Sequence, residues 1–388
     1  MDKKPEKLVP EVRFKGFTDD WEQRKFDNVV KRINDKDDNP ELPHIEFENI
    51  ISGNGTLNKN IKDLNSKKIG TKFQKEDILF GKLRPYLKNW YFAKENGIAV
   101  GDFWVLRAKK ISVFVYYLIQ TEKFYSIANL SSGSKMPRSD WNLVSNSRFN
   151  FPENTIESIK IGNLILQLDK LITLQQRKLE QLKRLKTAML QQLLANQSFP
   201  KVRFNDFKDS WKDYRLGEVF DEFSVKSKRE NEYKLLSSTT SGMESRSGRV
   251  SGHSNIGYKV IDNGDIVLSP QNLWLGNINL NNMGKGIVSP SYHTFKIVNA
   301  NPIFVNFQLK TKKMLFEYKM VSVQGASIVR RNLDMDAFKK IVIKIPNEKE
   351  QIKIASLFSS ISNIINNHQN KLTQLTTLKK YLLQKMFI

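Results

Sequence analysis

Pro10-Glu11-Val12-Arg13-Phe14-Lys15-Gly16-Phe17-Thr18-Asp19-Asp20-Trp21 returns 190 residues later as Pro200-Lys201-Val202-Arg203-Phe204-Asn205-Asp206-Phe207-Lys208-Asp209-Ser210-Trp211, with seven of the twelve positions identical. Outward from this pair, residues 159–193 align with 352–386 at an offset of 193. There Gln176, Lys178, Leu179, Gln181, Leu182, Leu185, Lys186, Leu190 and Gln191 fall on Gln369, Lys371, Leu372, Gln374, Leu375, Leu378, Lys379, Leu383 and Gln384. The segments in between, roughly 41–150 and 232–340, align only weakly. Two copies at so long a period exclude a solenoid. Duplicated ends around diverged centres predict two modules of one fold doing the same kind of job on different targets.

Each copy closes on a long amphipathic stretch. Ile165, Leu168, Ile172, Leu179, Leu182, Met189 and Leu193 recur in alternating steps of three and four, with Gln175 and Lys186 in the gaps. Phe358, Ile361, Ile365, Leu372, Leu375, Leu382 and Met386 do the same, with His368 and Lys379 in the gaps. A period of 3.5 predicts two coiled-coil helices that pack against each other, antiparallel. Polar seam residues set register at some cost in stability. Gln175 and His368 are read that way, since no second metal ligand stands at helical spacing from His368. Phe151-Pro152-Glu153-Asn154 and Ile345-Pro346-Asn347-Glu348 mark the helix starts, with Pro ending an extended run and Asn available as N-cap. Ala195 to Pro200 reads as a short linker.

The centres read as strand-rich. Ile98-Ala99-Val100, Phe103-Trp104-Val105-Leu106, Ile287-Val288 and Thr294-Phe295-Lys296-Ile297-Val298 are strand-like. Residues 114–124 and 304–316 read as one helix each, the second opened by Asn301-Pro302. Stretches such as Ser52-Gly53-Asn54-Gly55 are turns. The fold class expected is therefore α+β, two pseudo-repeated mixed domains with two long helices.

Composition narrows the chemistry. The 388 residues carry 63 Lys+Arg against 40 Asp+Glu, a formal charge of +23, and no cysteine. That excludes a disulfide scaffold, a thiolate zinc site and a thiol nucleophile. No apolar signal segment opens the chain and no run is long enough for a transmembrane helix, so a cytoplasmic location is expected. No phosphate-binding Gly-x-x-x-x-Gly-Lys-Ser/Thr loop and no Gly-x-Gly-x-x-Gly run occurs, and the Asn-Pro pairs at Asn39 and Asn301 lack the second Pro of an amino-methyltransferase signature. His44, His253, His293 and His368 are scattered, and Glu76-Asp77 and Asp334/Asp336 are expected at the surface or as helix caps. No catalytic or metal-binding residue is assigned.

The positive charge points instead to a polyanion. The two helical segments 156–196 and 347–388 account for +4 each, leaving +15 in the globular modules. Lys82-Leu83-Arg84-Pro85-Tyr86-Leu87-Lys88-Asn89-Trp90 interleaves basic and aromatic groups around a rigid turn, so Lys82, Arg84, Tyr86 and Lys88 are candidates for guanine edges and phosphates. Ser269-Pro270-Gln271-Asn272-Leu273-Trp274 occupies the matching place in the second half. Its Gln271 and Asn272 suit adenine edges. Lys135 and Arg138, and Arg330 and Arg331, are the next candidates, mainly for phosphate.

These residues resemble the specificity subunit of type I restriction–modification systems. The resemblance rests on Val12-Arg13-Phe14 with Trp21, on Gly81-Lys82-Leu83-Arg84-Pro85-Tyr86-Leu87, on Pro346 with Glu350-Gln351, and on Leu378-Lys379-Lys380-Tyr381-Leu382-Leu383-Gln384-Lys385-Met386-Phe387. It implies two target-recognition domains, at 1–155 and 197–346, and two spacer helices, at 156–196 and 347–388. It implies further that each domain reads one half of a bipartite, asymmetric double-stranded DNA site. Two methyltransferase subunits would dock on the helices, and two restriction subunits would complete the complex. S-adenosylmethionine, ATP and Mg would be used by those partners, this chain binding no cofactor. One departure stands out: Glu157-Ser158 replaces the usual Glu-Gln. From Ile165 to Leu193 the seam rises roughly 40 Å at ~1.5 Å per residue, a little over one duplex turn of about 34–36 Å. A reading from a different class is a coiled-coil adaptor without sequence-specific DNA binding, which would lack a steep salt dependence on DNA.

Overall fold

The computed structural model describes residues 8–130, 136–194, 197–246, 254–324 and 330–388. The chain divides into two units, Met1–Gln176 with Asn370–Ile388, and Arg177–Gln369. Each unit thus holds a globular module, the segment of one long helix that joins it and the far segment of the other.

The long helices run over Thr155–Leu193 and Glu348–Lys385. Their starts follow from the capping residues. Asn154 Oδ1 accepts from the Ile156 amide at 2.9 Å, and Asn347 Oδ1 accepts from the Glu350 amide at 3.0 Å. The 3.5-residue pattern selects which positions lose solvent: Ile165, Leu168, Ile172, Gln175, Leu179, Phe358, Ile361 and Leu382 are buried, and Leu182, Met189, Ile365, His368, Leu372 and Leu375 are half-buried. Within the first unit the two helical segments run antiparallel. Val12 links both ends, since its amide donates to the Lys385 carbonyl while its neighbour Arg13 pairs with Glu157, and further along Lys379 meets Asp169 at 2.7 Å. In the second unit Lys186 Nζ donates to Ser362 Oγ at 2.8 Å. The gap lysines of the seam therefore bridge the two helical segments in each unit.

The repeated opening motif is explained by burial and charge. Trp21 and Trp211 are buried, each edge-on to a phenylalanine, Phe114 or Phe304, with ring centroids 5.8 Å apart. Arg13 forms a two-pronged ion pair with the fully buried Glu157 at 2.6 and 2.9 Å, and Arg203 does the same with Glu350 at 2.7 and 2.6 Å. The carboxylate raises the pKa of each arginine further, chiefly through its hydrogen bonds.

Though their sequences diverge, the centres share a topology. In the first unit one four-stranded sheet has the order Val30–Ile33, Phe103–Ala108, Ile78–Gly81, Trp90–Phe92, and the second unit has Phe220–Phe223, His293–Ile297, Ile266–Leu268, Ile278–Leu280. The other sheet carries one parallel pair in each unit, His44–Glu46 with Gly97–Val100, and Lys234–Ser238 with Gly286–Val288. A two-stranded pairing closes each module, Glu22–Lys25 with Arg148–Phe151 and Lys212–Arg215 with Val342–Ile345.

Two expectations are corrected. Residues 114–124 and 304–316 each form two helices, Ser112–Leu118 and Glu122–Ala128, then Pro302–Gln308 and Lys312–Met320. The break falls where Thr121 and Thr311 cap a new helix, their hydroxyls accepting from the Phe124 and Met314 amides, and an N-cap threonine outcompetes continuation. Asp77 is neither at the surface nor a helix cap. It is buried against Arg107 at 2.7 and 2.8 Å, with Asp265 and Lys296 as its second-unit counterpart at 2.8 Å. Asp334 does cap a helix, accepting from the Asp336 and Ala337 amides.

Candidate nucleic-acid interface

In the first unit the antiparallel strands Ile78–Gly81 and Trp90–Phe92 are joined by the loop that holds Lys82, Arg84, Tyr86 and Lys88. Pro85–Leu87 forms a single 3-10 turn, with Arg84 and Lys88 on either side in the left-handed region at φ 48° and 57°. A residue with a Cβ held there costs of order 1 kcal/mol, a strain that elsewhere clusters at functional sites. Tyr86, Leu87 and Lys88 are exposed. The Lys88 ammonium lies 5.4 Å above the Tyr125 ring, and its carbonyl accepts from the Gly53 amide at 2.9 Å. Gly81 is required at the foot of the loop, because a Cβ would lie 2.7 Å from the Phe47 ring and 3.0 Å from the Asn89 carbonyl.

Two stretches nominated separately from the sequence meet here. Arg84 N donates to the Pro137 carbonyl at 2.8 Å, Ser139 N donates to the Lys82 carbonyl at 2.9 Å, and Leu83 bridges Arg138. Asp102, which sequence reasoning missed, lies between the cations. Its carboxylate is 3.6 Å from Lys82 Nζ and 3.1 Å from the Arg138 guanidinium. The one sequence cue for it was the turn Gly101-Asp102 between two strand-like runs. Lys135, with residues 131–134, lies outside the described residues.

The second unit builds the same frame from other side chains. Strands Ile266–Leu268 and Ile278–Leu280 flank a loop with a 3-10 turn at Leu273–Leu275, and here Gly276 takes the left-handed position at φ 87°. Gln271 is exposed and Asn272 half-buried. The loop is again tied to the second nominated stretch, through the Arg331 amide donating to the Gln271 carbonyl at 3.1 Å. Arg330 is exposed, whereas the Arg331 guanidinium donates to the Ser322 carbonyl at 2.7 and 3.2 Å and lies 5.9 Å from the Trp274 ring centre. Residues 325–329 lie outside the described residues.

Beneath this loop is a buried polar network that the sequence did not reveal. Ser238 and Asn277 exchange hydrogen bonds, Asn279 donates to Ser238 and Thr239, and Lys310 Nζ donates to Asn279 Oδ1 and the Gly276 carbonyl, both at 2.7 Å. Burial lowers the Lys310 pKa from 10.5 to about 8. No sequence cue singled out Lys310, which stands next to Thr311-Lys312-Lys313 between two helices.

Among the described residues no cluster of His, Asp and Glu could hold a metal ion, and no helix is long and apolar enough to cross a membrane. His44 Nδ1 donates to the Leu42 carbonyl at 2.9 Å, His293 contacts Glu222 at 2.6 Å, and His253 lies outside the described residues. The candidate interface in each unit is thus a strand-joining loop, with differing side chains on one repeated frame.

Comparison with known proteins agrees with this construction. Residues 208–377 match the family described as type I restriction modification DNA specificity domain. Among solved structures, the chain is similar to the type I restriction-modification system S subunit from M. genitalium, with 14% identity and a TM-score of 0.64 over 98% of this chain and 99% of that one. It is also similar to a chain from a structure of the type I R-M system concerned with complex assembly and conformational transition, at 17% identity and a TM-score of 0.51 over 97% and 99% of the two chains. Among curated proteins none matches. At such identities the structural likeness is one of fold. Residues 208–377 therefore resemble the type I restriction modification DNA specificity domains, and the chain shares the fold of the M. genitalium S subunit over nearly its whole length.

Proposed function

We propose that this chain is the sequence-specific DNA-recognition subunit of a type I restriction–modification complex, each half reading one part of a bipartite, asymmetric site. The observation that supports it most is the twice-built loop frame with unlike side chains. Lys82, Arg84, Tyr86, Lys88 and Arg138, with Lys135, serve one half-site, where fixed cations suit guanine edges and phosphates. Gln271, Asn272, Arg330 and Arg331 serve the other, where carboxamides suit adenine edges. Arg331 acts mainly by positioning, since its guanidinium is already engaged by Ser322. In this reading the modules at 1–155 and 197–346 are the recognition domains, and the helical stretches 156–196 and 347–388 pair through their seams as spacers. Those helices dock two methyltransferase subunits, and two restriction subunits complete the assembly. Methyl transfer from S-adenosylmethionine, and ATP- and Mg-dependent cleavage, belong to these partners, and the chain itself is non-catalytic and works in the cytoplasm.

Methylome sequencing of a host that carries this chain with its methyltransferase subunit, against the same host without this chain, tests the reading. A new methyl-adenine motif split into two unlike halves by a fixed gap is the expected result. Assembly of the complex without any new motif would overturn it.

A further inference from the structure

Both candidate loops end on the same backbone unit, and the two halves of the chain hold it with different donors. Lys88 and Gly276 follow the 3-10 turns Pro85–Leu87 and Leu273–Leu275, both in the left-handed region at φ 57° and 87°. The next residue returns each loop to its sheet, since the Asn89 carbonyl accepts from the Gly81 amide at 2.7 Å and the Asn277 carbonyl from the Ser269 amide at 3.0 Å. In the first unit the Lys88 carbonyl is held by a backbone amide, that of Gly53, at 2.9 Å. In the second unit the Gly276 carbonyl is held by a side chain. The Lys310 ammonium donates to it at 2.7 Å and to Asn279 Oδ1 at 2.7 Å.

Gln120 stands at the place of Lys310 in the first unit, each one residue before the threonine that caps the next helix, Thr121 or Thr311. Gln120 turns back on its own helix instead, its Nε2 donating to the Tyr116 carbonyl at 3.0 Å. A half-buried ammonium is a costly way to fill the same space, so what it holds is the informative part. The Gly276 carbonyl and the Asn277 amide belong to one rigid peptide plane, and fixing the oxygen therefore fixes the direction of the N–H. That N–H donates to the Asn272 carbonyl at 3.3 Å, and Asn272 stands beside the exposed Gln271. Glycine accepts backbone angles of either sign at little cost, so without the lysine this plane is free to turn over.

We propose that Lys310 is the positioning residue of the second half-site: from beneath the loop its ammonium sets the Gly276–Asn277 peptide plane, and through it the direction in which Gln271 and Asn272 meet base edges. This rests on the DNA-recognition reading above. The lysine acts through the loop and not by contact with DNA. In the first unit a backbone amide sets the corresponding plane, so dependence on a side chain at this point is confined to the second half-site.

The test expresses the full-length chain with its methyltransferase subunit and reads the host methylome for the unaltered chain and for Lys310→Gln, Lys310→Met, Gln271→Ala and Lys82→Ala. Lys310→Gln should relax the half of the motif that Gln271→Ala relaxes. Methylation at sites with one mismatch in that half should rise roughly tenfold, within what one base pair contributes. The half altered by Lys82→Ala should stay as strict as before. Lys310→Gln gives the second unit the residue that the first carries at this place, and Lys310→Met, which removes the donor altogether, is the second variant with the same expectation. A merely structural role lowers the amount of working protein, which weakens methylation at every site and cannot relax one half alone. An unchanged motif, equal relaxation of both halves, or loss of all methylation in both variants would overturn the positioning role while the split motif of the unaltered chain stands. No split motif from the unaltered chain would overturn the recognition reading and this role with it.

Discussion

Lys379 reaches across the helix pair of the first unit to Asp169, Nζ to Oδ1 2.7 Å, and Asp169 also accepts the Tyr117 hydroxyl at 2.9 Å. In the second unit the corresponding residues are Lys186, Ser362 and Phe307, with Lys186 donating to Ser362 at 2.8 Å and lying 5.4 Å over the Phe307 ring. One frame thus carries an ion pair, the other a lysine held by a hydroxyl and a ring. Removing one partner of a largely buried pair leaves the other uncompensated, so Asp169→Ala should cost roughly 2–4 kcal/mol. Copying the second unit with Tyr117→Phe and Asp169→Ser together should cost less than the sum of the two single changes, because both lose the same hydrogen bond. Urea unfolding of the four variants in a cycle checks this.

Asp102 holds Lys82 and Arg138 in place and partly neutralises them. Asp102→Asn should release both cations. Affinity for random duplex DNA is then expected to rise, with a salt dependence steeper by up to about one unit of log–log slope per cation. Discrimination between cognate and random duplex should fall, since fixed direction is what base-edge contacts require. Titrations at several salt concentrations on both duplexes measure the two effects, and an unchanged ratio would remove Asp102 from recognition.

Arg84 occupies a backbone conformation that glycine adopts without penalty. Arg84→Gly should therefore leave the fold as stable, or stabilise it by up to about 1 kcal/mol, while weakening DNA binding. Denaturation and DNA titration on the same sample separate the two. A residue kept for structure alone would show neither the gain nor the loss.

Lys310 makes stability of the second unit depend on pH in a definite sense. Its pKa falls from 10.5 in the ordinary state to about 8 in the fold, so between those values the unfolded chain holds a proton that the folded one has released. Stability from this group should therefore rise as pH increases from about 8 toward 10, by an upper bound of roughly 3 kcal/mol. Burial lowers the pKa of Lys186 and Lys259 in the same unit in the same direction. Urea unfolding followed across that range should show the rise, and Lys310→Met should flatten most of it.

The two-fold architecture was readable without coordinates because its determinants are local or strictly periodic. Seam positions recur every 3.5 residues, Asn154 and Asn347 cap their own helices, and Trp21 and Trp211 mark the start of each module at a constant offset. Strand-like runs such as Phe103-Trp104-Val105-Leu106 were equally plain from their residue types. The candidate loops were also found in advance, since a turn that interleaves Lys, Arg, Pro and Tyr is visible as a string.

What only the tertiary structure decided are the pairings between residues far apart in the chain. No periodicity links Asp102 to Arg138, or Lys310 to Gly276, because these bonds depend on which strand ends the sheets bring together. The two helices read as one at 114–124 and 304–316 failed for a related reason: the apolar spacing continues through Thr121 and Thr311, and only the hydroxyl's hydrogen bond to a backbone amide shows the chain restarting. Periodic burial is encoded along the chain and survives as pattern, whereas a polar contact is satisfied by whatever donor or acceptor the fold delivers within about 3 Å.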